Sequence, residues 1–178
     1  MPPSKRHSAV AELHAQVVDV YLGAVGSIQD VAASQPSSDG RTIGQVVGHI
    51  AEWEPWVLQA GGEIASGVVW PRIMELSAYV DIDGQVRDFR DVEDFNAFQA
   101  TKQARWPWSR IQALAVRTAT AVQSLFVQVL APEYLEETRD YTWELPGRVR
   151  MTLPCGWYLR LVTLEHEAVE HADDLKGR

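Results

Sequence analysis

The chain has 178 residues, 46% of them hydrophobic and 22% charged, enough for one domain with a single sizeable core. A net charge of −8 repels phosphate backbones, and the only basic cluster is Lys5-Arg6, so nucleic acid is not an expected partner. Cys155 stands alone, which excludes an intrachain disulfide and suits the cytoplasm; no apolar run approaches the roughly 18 residues that span a bilayer, so no membrane is expected either.

Residues 1–7 read as a flexible leader, and residues 1–178 as one domain. From Ser8, apolar residues recur with helical spacing at Val10, Leu13, Val17, Tyr21, Ala24, Ile28 and Val31, and the turn formers of QPSSDG stop that helix. A second helix starts after Thr42, where Thr42 and Gln45 have the spacing of a capping box. Its apolar stripe is Ile43, Val46, Ile50, Trp53, Val57 and Ala60, and Pro55 removes one backbone bond from it. Residues 61–90 lack periodicity and form a long connection with a turn at Asp83-Gly84; a loop of that length is often functional.

A third helical region begins near Asp91 and is broken at Trp106-Pro107-Trp108, with Ser109 placed to cap its restart toward Leu130. The two tryptophans at this break are expected to close the open end of a bundle. YTWELPGRVRMTLP alternates around Pro146-Gly147 as a hairpin does. The last helix covers about Gly156 to Lys176. The expected fold is all-α, a four-helix bundle with long connections after the second and third helices.

The stretch LEHEAVEHADDL invites comparison with the zinc-protease pattern H-E-x-x-H, but His166 and His171 are five residues apart. At about 100° per residue, Trp157, Leu161, Leu164, Ala168, Ala172 and Leu175 share one core stripe. His171 lies roughly 60° from its centre, with Glu167 and Arg160 on the same edge. His166, Glu170 and Asp173 turn toward solvent. Glu167 and His171 are therefore an i,i+4 pair at the rim of the core, with side chains able to reach one ion. On the second helix, His49 lies at the edge of the apolar stripe, between Val46, Trp53 and Trp56. If the two helices pack together, three ligands meet around one divalent ion with a position left open, the form of a catalytic zinc site. The plainer alternative is an i,i+4 pair that only steadies a helix, with His49 a satisfied core histidine.

With these residues in view, the chain resembles the DinB superfamily, through TIGQVVGHIAEWE on the second helix and TLEHEAVEHADDL on the last. Glu167, where a second histidine is commoner, resembles the branch of mycothiol-dependent maleylpyruvate isomerase. Arg160 and the Asp173-Asp174-Leu175 ending fit the same branch. The resemblance implies a divalent metal at His49, Glu167 and His171, zinc first, with nickel or another ion as alternatives. It implies a thiol-dependent transferase or isomerase that activates mycothiol or bacillithiol against a small electrophile. Arg160 would orient a substrate or cofactor carboxylate, or else pair with Glu167 or Glu165. Trp56 would be a pocket wall, while Cys155 reads as an incidental or buried thiol. VEDFNAFQ resembles the ClbS/DfsB group, which implies an alternative: a metal-free protein that binds a small molecule for self-protection. DinB-like proteins also form homodimers, for which the first or third helix could supply the face.

Overall fold

The structure, a computed structural model, describes residues 5–68, 76–129, 138–143, 149–154 and 170–175. Its elements are α1 (Lys5–Ser27), α2 (Asp30–Ala33), α3 (Ile43–Ala65), a hairpin β1 (Tyr79–Val80) and β2 (Val86–Arg87), α4 (Val92–Gln103) and α5 (Trp108–Ser124). A π-helical turn, Leu125–Val129, extends α5. A second antiparallel hairpin pairs β3 (Thr138–Trp143) with β4 (Val149–Pro154), and α6 is Ala172–Leu175. The fold is all-α, with α3 at its centre. No helix among the described residues is long and apolar enough to cross a membrane.

Local chemistry explains where these elements begin. Thr42 caps α3: its hydroxyl accepts from the Gln45 N–H, and the Gln45 side chain accepts from the Thr42 N–H at 2.7 Å. All six residues of the expected α3 stripe are buried, and the helix runs through Pro55 without ending. Asp91 caps α4 by accepting from Asp94 N–H at 2.7 Å. At the start of α5, the cap position is held by Pro107 rather than Ser109. Proline's fixed φ (−67°, with ψ 152°) already gives the extended turn an N-cap needs.

Two expectations about the first helix need correction. It begins at Lys5, inside the supposed leader, and its buried face is His14, Val18, Tyr21 and Val25, about one residue round from the expected stripe. Leu13 and Val31 are exposed, and Val31 belongs to the separate short helix α2. Apolar residues occur on two faces of α1, and the better packed face carries a histidine that a hydrophobic count scores as polar.

The long helices pair along most of their length. Trp108 Nε1 donates to Ile28 O at 3.0 Å and Gln112 Nε2 to Val25 O at 3.0 Å, while His14 stacks on Phe126 with ring centroids 4.7 Å apart. These contacts set α5 antiparallel to α1. Trp106 and Trp108 pack half-buried at the end where α1 finishes and α5 starts, with the Arg110 guanidinium 4.0 Å over the Trp106 ring. The expected long 61–90 connection carries regular structure among its described residues. Its first five residues continue α3, and the β1–β2 hairpin turns at Asp83-Gly84, where Gly84 takes the positive φ (76°) that glycine tolerates best.

Candidate functional site

Position 49 is on the second turn of α3; the Thr42 cap fixes where that helix starts, and its buried stripe sets which face turns inward. His49 is therefore carried at the edge of the α3 stripe, half-buried, as the sequence spacing requires. His171 stands immediately before α6 and is buried, with 5% of its surface exposed, deeper than a rim position. Their imidazole rings meet edge-on, centroids 5.9 Å apart and planes at 89°.

A carboxylate lies beside His171. Its Nδ1 is 3.9 Å from Asp174 Oδ2. Asp174 is itself fixed, accepting from Ser38 N–H at 2.8 Å and from Ser38 Oγ at 3.2 Å. The loop before α3 thereby holds the C-terminal element against the helix that carries His49. A carboxylate behind one ring nitrogen is the usual way a metal-binding histidine is oriented.

The separation of the two rings lies in the range that two histidines on one ion would show. With a ring nitrogen about 2.1 Å from a metal, each ring centre lies about 3.2 Å from it, so two rings on one ion stand about 5–6 Å apart. Two imidazoles also suit zinc or nickel chemically. Among the described residues, no group of three His, Cys, Asp or Glu side chains could hold a metal ion. Glu167, the third expected ligand, lies outside the described residues, as do His166, Arg160 and Cys155. Trp56 is buried in the core beside Trp53, ring centroids 5.9 Å apart, within the cluster of Val57, Phe95 and Phe126.

Sequence reading missed a buried polar group on the same helix. Glu52, one turn beyond His49, is 1% exposed, and its Oε2 lies 3.4 Å from the Tyr79 hydroxyl. Gln99 Nε2 reaches the same hydroxyl at 3.4 Å, and Gln103 Nε2 donates to Gly48 O at 3.0 Å. Burial pushes the Glu52 carboxyl above its usual range; Gln103, Lys102 and Tyr79 oppose that shift and Asp81 adds to it. The available signal was that α3 is apolar nearly all round, so an acid at position 52 had little solvent to face.

Asp81 behaves differently. Burial alone would raise its carboxyl, but the Arg87 hydrogen bond (2.6 Å), the N–H groups of Gln85 and Asp83 and the Lys102 charge hold it below the usual range. His14 also escaped notice. Neither ring nitrogen has a hydrogen-bond partner, and burial pulls its pKa down to about 4.

No family model matches the chain, and no curated protein matches it. Two solved structures do, both of mycothiol-dependent maleylpyruvate isomerase. A histidine-to-alanine mutant matches with a TM-score of 0.68 at 10% identity, over 97% of this chain. Another structure of the isomerase matches with a TM-score of 0.67 at 10% identity, over 96%. The chain spans 61% of the length of each. At that identity the likeness is one of fold: the chain shares the all-α fold of those structures.

Proposed function

We propose that this chain is a metal-dependent, thiol-using transferase or isomerase, with His49, Glu167 and His171 as ligands of one divalent ion. The observation that supports this most is the edge-on approach of His49 and His171, from two different elements, within a fold shared with a mycothiol-dependent isomerase. Zinc is the first choice of ion, with nickel as the alternative. What such an ion supplies when bound is a lowered thiol pKa, so that a small thiol is held as thiolate at neutral pH.

The chain's own residues bind and orient. Asp174, tied to Ser38, steadies the His171 ring through its Nδ1 side. Trp56 offers an aromatic wall to the apolar part of a ligand, and Arg160 a guanidinium to a carboxylate on substrate or cofactor. In this reading the thiol is mycothiol or bacillithiol, its partner a small electrophile, and the setting the cytoplasm. A homodimer is part of the same reading, with the exposed side of α1 or α5 as its face.

The alternative is a metal-free protein that binds a small molecule. It draws on VEDFNAFQ, which forms most of α4 and seats Phe95 against Trp53, ring centroids 4.7 Å apart. The test is thiol conjugation by protein reconstituted with zinc, against mycothiol, bacillithiol and glutathione with a maleyl-type electrophile. Conjugation that needs both zinc and one of these thiols supports the enzyme. Absence of conjugation with every thiol, together with unchanged small-molecule binding after chelation, supports the metal-free alternative.

A further inference from the structure

The short segment that carries His171 is anchored at two points. Leu175 is buried in the cluster that also holds Val18, Tyr21, Val46 and Ile50. Asp174 turns instead to the loop before α3, 136 positions away, where Ser38 N–H donates to its Oδ1 at 2.8 Å and Ser38 Oγ to its Oδ2 at 3.2 Å. The N–H groups of Asp174 and Leu175 both donate to His171 O at 3.1 Å. Histidine, aspartate and leucine therefore move as one unit.

Asp174 Oδ2 has two polar neighbours, the Ser38 hydroxyl and His171 Nδ1, the latter at 3.9 Å, the outer edge of ion-pair range. The side chains of His171 and Asp174 are each only 7% exposed, so water screens little of that attraction. Neutral imidazole carries its proton on one nitrogen or the other, and a carboxylate beside Nδ1 draws it there. Nε2 is then the nitrogen with a lone pair to give. The two Ser38 donors in turn fix which carboxylate oxygen faces the ring. The loop is closed on its own side, because Ser37 N–H donates to Arg41 O at 2.7 Å and Arg41 N–H to Asp39 Oδ1 at 3.0 Å.

We infer that Ser38 is a positioning residue for the metal centre: through Asp174 it holds His171 in the tautomer that presents Nε2 to an ion, so that the surface loop 34–42 tunes metal affinity from outside the site. The ion itself rests on the metal reading above, whereas the tautomer is a property of the metal-free chain. Ser38 acts at one remove, and no place as a ligand is asked of it.

The expected sizes follow from what each change removes. Asp174→Asn keeps an oxygen for Ser38 but loses the charge behind Nδ1, and should weaken zinc binding about tenfold or more. Ser38→Ala loses the hydroxyl but keeps the backbone donor, and should weaken it about threefold. Ser38→Thr restores the hydroxyl and should recover wild-type affinity.

Two measurements test this together. Long-range proton–nitrogen NMR on the metal-free chain, at a pH where histidine is neutral, reads the His171 tautomer. Competition titration with zinc reads affinity. Wild type is expected as the Nδ1–H form, with the Nε2–H population rising in Asp174→Asn and, less, in Ser38→Ala. Ser34→Ala, which removes another hydroxyl of the same loop, one that donates to Asp30 O, should match wild type in both. Ser38 is exposed, so its variants decide the matter even if Asp174→Asn does not fold. Wild-type His171 in the Nε2–H form, a tautomer unmoved in the Asp174 and Ser38 variants, or a loss in Ser38→Ala that Ser38→Thr does not recover would each overturn the inference. If wild type takes up no zinc, the metal reading falls, and the tautomer alone decides whether Ser38 and Asp174 set the bearing of His171.

Discussion

The rings of His49 and His171 approach edge-on at 5.9 Å, although 121 positions of chain separate the residues from number 50 to number 170. The two sides are fixed independently. The Thr42 cap sets the start of α3, and the Ser38–Asp174 bonds tie α6 to the loop before it. One short loop, residues 34–42, thus supplies both the cap and the clasp. That arrangement holds both rings from neighbouring parts of one loop, the kind of support a preorganised site requires.

Glu52 makes the fold sensitive to pH in a definite direction. Its carboxyl is raised in the folded chain, first by burial, above an ordinary value of 4.5. A raised acid contributes fully below its unfolded pKa, and that contribution is lost as pH rises toward the folded value, at no more than about 1.4 kcal/mol per pH unit. Glu52→Gln cannot ionise, so it should match wild type near pH 4.5 and be the more stable protein at pH 8. Urea melts at four pH values measure the difference.

His14 predicts the opposite limb. Its pKa falls from 6.5 to about 4 on folding, so unfolding takes up a proton between those values. Stability is full above 6.5 and declines as pH falls toward 4, by about 2 kcal/mol at pH 5. His14→Leu removes that decline and the two unbonded nitrogens with it. Acid titration of the melting temperature should show a flatter profile for the variant between pH 7 and 4.5.

Two glycines of α3 should respond with opposite signs to the same change. Gly48→Ala drives a methyl into Gln103 and costs about 1–3 kcal/mol by overpacking and a broken bond to Gly48 O. Gly62→Ala meets nothing within 4 Å and should gain about 0.5–1 kcal/mol from helix propensity. Chemical denaturation of both variants under one condition checks the pair.

Signals carried by neighbouring residues were legible in the sequence. The Thr42-Gln45 box, the α3 stripe, the Asp83-Gly84 turn and the hairpin flanking Pro146-Gly147 each depend on a few adjacent side chains. What a single segment could not reveal was which of two apolar faces α1 would bury, because that depends on its fit against α5. Pro107 displaced Ser109 as the cap because a fixed φ needs no side-chain bond. Glu52 was hidden for a related reason: Tyr79, Gln99 and Gln103 come from a distant part of the chain and meet it only in the fold. The meeting of His49 with His171 agrees with helical spacing, which gives the direction of a side chain even when its partner is far away. Glu167, Arg160, His166 and Cys155 lie outside the described residues, so their part in the site rests on the sequence and on the resemblance.

The most direct test of the metal centre is bound metal per chain, measured by mass spectrometry on protein purified without chelator and then offered zinc. The account predicts close to one ion per wild-type chain and per His166→Ala chain. It predicts loss of most bound ion, with affinity down tenfold or more, in each of His49→Ala, Glu167→Ala and His171→Ala. Wild-type protein that takes up no stoichiometric divalent ion, or the three alanine variants binding it as wild type does, would contradict the account.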